Sequence, residues 1–242
     1  HGFPIEPTPD TLSFYTVFMC HQIKPDSVAS YLSGICNQLE PFFPNVRIAR
    51  LNPLVARTLA GCRRMFNSPT KRKRALTVDD IERLLSTYTP TSHDNLLFRA
   101  MTLAAFFALH RLGEVACPDN AALRSSRKII RRTTLSADGN FIRYVLPAHK
   151  ADRFFEGSTI VLARRLDALD PYSALVSYAR SRDHLYPFRS ELFLTASGTV
   201  PTKSWYLAKL HSVCDDDVSG HSLRAGGATF LASLGWPDDR IQ

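Results

Sequence analysis

Residues 95–114 read NLLFRAMTLAAFFALHRLGE, and their pattern sets the fold class. From Asn95 to Leu109 the stretch is apolar almost all round, which predicts a core helix covered on every side. A buried central helix needs other helices around it, and the flanking sequence supplies them. Thr77 followed by Asp79, Asp80 and Glu82 predicts a helix start, because acids suit the positive end of the helix dipole. Ile81, Leu84 and Leu85 form its buried face. Further helices are predicted at Pro171–Arg182, Thr202–Val213 and His221–Leu234, with Gly235 placed to stop the last. Between them the period changes. Lys128–Leu135, Phe141–Pro147 and Ser158–Ala163 read as strands, with Asp138-Gly139 as the first turn.

Upstream the pattern is helical at Thr11–Met19, at Ser27–Leu39 behind Pro25, and at Leu54–Met65. Residues 1–66 thus form a small all-helical domain. Residues 67–76 (NSPTKRKRAL) hold four cations and no acid, half of the net charge of +8. Ser68, Pro69 and Thr70 favour an exposed, non-helical path, so this segment reads as a basic linker. Residues 77–242 are then a second domain, mainly helical with one small antiparallel sheet. The fold class is α+β with helix dominant.

The 242 residues bury a sizeable core, and 45% hydrophobic against 21% charged excludes a disordered chain. The longest uncharged apolar run, at 100–109, is half of a membrane span. Five scattered cysteines without a C-x-x-C argue against a disulfide framework or a structural zinc, and no metal site is expected. A pI near 9.4 favours a polyanionic partner, although a basic surface of no special purpose gives the same figure. Lys71, Arg72, Lys73 and Arg74 are candidate phosphate contacts or a nuclear-import signal; a solvated charge run is the alternative. Arg127, Lys128, Arg131 and Arg132 lie in a second acid-free run, 123–132.

Three smaller signals could carry chemistry. Arg111 and Glu114 follow the apolar helix directly, and an arginine there needs a partner. His221 and Arg224 share one face of a helix start, where backbone N–H groups also attract anions. Lys150 lies between two strands. Each spacing arises readily by chance, and each has a bland reading: an ion pair, a capped surface helix, a solvated lysine.

Their order is more specific. The series Arg111–Glu114, Lys150, His221–Arg224 resembles that of the tyrosine recombinases of phage-integrase type, most of all those of fungal mobile elements. YLSGI at 31–35, LPAHKADRFFEG at 146–157 and HSLRAGGAT at 221–229 are similar as well. The resemblance implies a helical core-binding domain and a catalytic domain around double-stranded DNA, with cleavage and rejoining through a 3′-phosphotyrosine. Arg111 and Arg224 would hold the phosphate oxygens, His221 would bond the same phosphate or assist proton transfer, and Lys150 would protonate the leaving 5′-oxygen. Glu114 would support the first arginine. No cofactor or metal is implied. Self-assembly on DNA is, and so is a nuclear location in a eukaryote, or the nucleoid otherwise.

The family places its nucleophilic tyrosine after the second arginine. Here the last tyrosine is Tyr206, so the chain is expected to lack the nucleophile and to be a fragment. The alternatives are a non-catalytic DNA-binding protein derived from a recombinase, a type IB topoisomerase, and a helical interaction module.

Overall fold

The computed structural model describes residues 6–66, 72–147 and 156–241. The chain divides into two compact units, His1–Lys71 and Arg72–Gln242.

The first unit has four helices: α1 (Pro9–Cys20), α2 (Pro25–Leu39), α3 (Val46–Leu51) and α4 (Pro53–Phe66). Proline at the first position of α1, α2 and α4 suits helix starts, where its missing N–H has no intrahelical partner. Leu12, Cys20, Val28, Leu32, Val55 and Cys62 form the core. The buried stripe of α2 is Val28, Leu32 and Cys36, while Tyr31 faces out. A cysteine thus fills a place that the apolar pattern assigns to larger residues. Helix α3 was not legible, because six residues are too few to show a period.

The second unit begins with a strap. The Arg74 amide donates to Asp217 O (2.9 Å) and the Leu76 amide to Ser222 O (3.0 Å), with Leu76 buried. Residues 72–76, expected as linker, are therefore part of this unit. Helix α5 (Val78–Thr87) follows. Thr77 accepts from the Asp80 amide, and Asp80 accepts in return from the Thr77 amide, a reciprocal cap.

Helix α6 (His93–Phe107) is the centre, with Leu97, Phe98 and Ala100–Phe106 all buried. The short α7 (Leu112–Val115) turns off its end. The expected strand at Lys128–Leu135 is not one. Ser126–Lys128 and Arg132–Thr134 are 3-10 turns, and the segment meets residues 190–192 only at the Ile130 carbonyl and the Arg132 amide, on either side of an isolated Arg131–Glu191 bridge. Its amides donate within these turns and to the Ser190 carbonyl instead. β1 is only Ser136–Ala137; β2 (Phe141–Leu146) and β3 (Ser158–Ala163) complete an antiparallel meander in which Tyr144 pairs with Ile160. Gly139 supplies the positive φ of 92° in the first turn. Ile142, Tyr144 and Leu146 face the core in strict alternation.

Helix α8 (Pro171–Leu185) packs along α6, capped by Asp170. Near its end Arg182 is fully buried. Its guanidinium donates to the carbonyls of Tyr186, Arg189 and Glu191 and to the Asp183 carboxylate. A charge can be buried only with such partners. Helices α9 (Lys203–His211), α10 (Gly220–Ser233) and α11 (Asp238–Ile241) end the unit. Among the described residues no helix is long and apolar enough to cross a membrane, and no cluster of three metal-ligating side chains occurs.

Candidate functional site

The site is built where α10 crosses the end of α6. A Cβ on Gly226 would stand 2.1 Å from Leu76 O, and one on Gly227 would stand 1.9 Å from Phe106 O. Only glycine allows this backbone-to-backbone approach. At the start of α10, a Cβ on Gly220 would meet Leu112 Cβ at 2.7 Å, so α10 also abuts α7. The glycines thus deliver the first turns of α10 to the α6–α7 corner.

That corner is bent at Leu109, whose φ of 53° is the one positive value at a non-glycine among the described residues. Arg224 reaches across and donates through Nη1 to the Leu109 carbonyl (2.5 Å). Two residues on, Arg111 caps α7. His221 lies exposed on the first turn of α10, and among the described residues its imidazole makes no hydrogen bond or ion pair. The structure therefore brings Arg111, Glu114, His221 and Arg224 to one place. Lys150 falls outside the described residues.

Glu114 is held tightly. Its Oε2 accepts from the Arg111 amide (2.9 Å) and from His110 Nδ1 (3.3 Å), and its Oε1 accepts from Arg111 Nη1 (3.3 Å). Burial opposes its ionisation, but donors from His110 and Arg111 outweigh that, and the carboxyl sits below its usual range. His110 is buried, and its Nε2 lies 2.6 Å from the Tyr144 hydroxyl. His110 and Tyr144 were not legible beforehand, because neither spacing nor charge links positions 34 residues apart.

The basic candidates separate into two kinds. Arg72 is exposed, as are Arg127 and Lys128, and these three make no recorded ion pair among the described residues. The others are committed to the protein. Lys73 donates to Asp216 O. Arg74 is claimed by Asp80 and Asp217. Arg131 bonds Ser190 Oγ (2.7 Å) and Ser126 O (3.3 Å). Arg132 holds Asp183 through Nε (2.9 Å) and Nη2 (2.6 Å). Arg74 and Arg132 are thus held by carboxylates of the protein: Asp80 lies close by in sequence, Asp217 and Asp183 far away. Lys71 lies outside the described residues.

Cavities of about 490, 340 and 200 Å³ open on the second unit, and none has Arg111, His221 or Arg224 in its wall. His221 is exposed and Arg111 and Arg224 are half-buried, so solvent reaches all three, which suits a large anion better than an enclosed small one.

No protein-family model matches the chain, and no curated protein matches it. Solved structures do. The lambda integrase (residues 75–356) bound to DNA aligns with a TM-score of 0.59 at 14% identity, over 100% of this chain and 77% of that one. The Tn1549 transposon integrase (residues 82–397), in complex with circular intermediate DNA, gives 0.60 at 15%, over 99% and 78%. The XerH recombinase bound to difH gives 0.49 at 14%, over 91% of this chain, which spans 63% of that protein, less than two thirds of its length. The likeness to the two integrases shows that the chain has the recombinase–integrase fold.

Proposed function

We propose that this chain is the DNA-binding and phosphate-holding part of a tyrosine recombinase or integrase. The observation that carries the reading is that Arg224 reaches the Leu109 carbonyl, two residues before the Glu114-held Arg111, within a recombinase fold. Two guanidinium groups offer rigid, permanently charged forks to the non-bridging oxygens of one phosphodiester. Charge on those oxygens grows when the phosphorus is attacked, so fixed cations favour the transition state over the ground state. His221 supplies a further donor or moves a proton, and Lys150 protonates the departing 5′-oxygen. Glu114 keeps the Arg111 fork in place.

The nucleophile is not among the eight tyrosines. In the second unit the hydroxyls of Tyr88, Tyr144, Tyr178, Tyr186 and Tyr206 are each hydrogen-bonded elsewhere, and Tyr172 lies under Arg164. Burial pushes the phenols of Tyr144, Tyr178 and Tyr206 well above their ordinary value, away from nucleophilic use. These placements also favour a second reading, a recombinase-derived DNA-binding protein without strand cleavage. In either case the partner is duplex DNA, with self-assembly on it. A mobile-element origin and a nuclear location accompany the reading.

Duplex binding measured by fluorescence anisotropy from 50 to 300 mM salt tests the proposal. Affinity should fall steeply and linearly on a log–log plot. Absence of salt-dependent binding overturns it. A covalent adduct on a nicked suicide duplex would overturn the assignment of the tyrosines.

A further inference from the structure

We infer that His110 and Tyr144 are positioning residues: the hydrogen-bonded chain Tyr144–His110–Glu114 fixes the Arg111 fork and registers strand β2 against it. The phosphate role of Arg111 rests on the reading above; the positioning itself does not.

Glu114 is ionised and can only accept, so His110 Nδ1 carries the hydrogen in their contact (3.3 Å). On the other side of the ring, His110 Nε2 and the Tyr144 hydroxyl share a hydrogen bond of 2.6 Å. Glu114 then has both oxygens filled, Oε2 by His110 and the Arg111 amide, Oε1 by Arg111 Nη1. His110 is 1% exposed and Tyr144 0%. A pair of apolar side chains would fill this space without the cost of burying polar groups, so packing alone does not account for them. An imidazole that orients a ligand-bearing carboxylate is the arrangement expected of an outer support for a reactive site.

Tyr144 is central in β2, paired with Ile160 on β3. β2 ends at Leu146, and the chain then enters the segment that carries Lys150. One chain of hydrogen bonds therefore ties the arginine to the strand that leads to the candidate proton donor.

Tyr206 provides the control. Its hydroxyl is equally buried and bonds Thr102 (2.7 Å) on α6, with no link to Glu114. In the DNA-free full chain, the Arg111 Nε–Hε NMR signal, assigned with Arg111→Lys, should shift and exchange faster with water in Tyr144→Phe. In Tyr206→Phe it should stay in place. Duplex affinity should drop about tenfold in the first variant and not in the second. His110→Asn keeps a donor near the Nδ1 position and should hold the signal closer to wild type than His110→Leu does, which covers a Tyr144→Phe that does not fold. An Arg111 signal unmoved in Tyr144→Phe, moved equally in Tyr206→Phe, or equal in the two His110 variants overturns the inference. If the wild-type chain binds no duplex, the proposed function fails, while the NMR comparison still decides the positioning role.

Discussion

Gly227 lies against the Phe106 carbonyl so closely that a Cβ would stand 1.9 Å from the oxygen. The obstacle is backbone on a buried helix, which cannot swing aside. Gly227→Ala must push α10 off α6, and overpacking of this kind costs about 3 kcal/mol, or about 6–12 °C of melting temperature in a unit of this size. Gly34, inside α2, has nothing within 4 Å of an added Cβ, so Gly34→Ala should gain about 0.5–1 kcal/mol from helix propensity. Thermal melts of both variants check the pair. A neutral Gly227→Ala would refute the close approach.

The Gly226-Gly227 pair shows how much of this architecture is legible in sequence. Apolar periodicity located α5, α6, α8 and α10, because each buries a stripe several turns long. The expected strand at Lys128–Leu135 failed because its β-branched Ile129, Ile130, Thr133 and Thr134 favour extended backbone, while that backbone is in fact taken up by 3-10 turns and by the 190–192 segment. Arg111, Glu114, His221 and Arg224 could be picked out by spacing. Their supports could not. Leu109, His110 and Tyr144 act through contacts that only folding creates, and the two glycines in a helix were readable as a close crossing only once the opposing carbonyls were known.

Asp80 predicts an acid-sensitive joint. It is buried, and burial alone would raise its pKa; Arg74, the Thr77 amide and Arg83 outweigh that and hold it far below the usual carboxylate range. A depressed folded-state pKa stabilises above the unfolded value of about 3.9, and that contribution is lost as pH falls below it toward the folded value. Asp80→Asn should therefore cost about 3 kcal/mol at pH 7, since Arg74 and Arg83 lose a buried partner. Urea unfolding should show the gap between wild type and Asp80→Asn narrowing below pH 4. A gap that is constant with pH would contradict the assignment.

The cations divide into those that meet solvent and those that hold loops, and the two kinds should separate experimentally. Arg127 and Lys128 are exposed without recorded partners among the described residues, whereas Arg132 clasps Asp183. Arg127→Ala with Lys128→Ala should weaken duplex binding of any sequence alike and lower the salt slope by about 1–2, with little change in melting temperature. Arg132→Ala should do the reverse, losing about 1 kcal/mol of stability or more with the slope unchanged, because a partly buried bidentate pair is lost. Anisotropy and melts on the same preparations decide it.

Arg224 has to serve two acceptors at once. One nitrogen is committed to the Leu109 carbonyl, and among the described residues the side chain makes no other hydrogen bond, which leaves its remaining donors to a phosphate. A guanidinium can do both because its donors are rigidly splayed in one plane; an ammonium is a point charge and must choose. Arg224→Lys keeps the net charge, so the number of released counterions and the salt slope should stay the same. The affinity should nevertheless fall by about tenfold at every salt concentration, since one charge-assisted bond is lost. The drop should be equal for unrelated duplex sequences, because the contact is to phosphate and not to base. A Lys variant that binds as wild type would mean that charge alone is used at this position, and the two-acceptor geometry would then have no part in holding DNA.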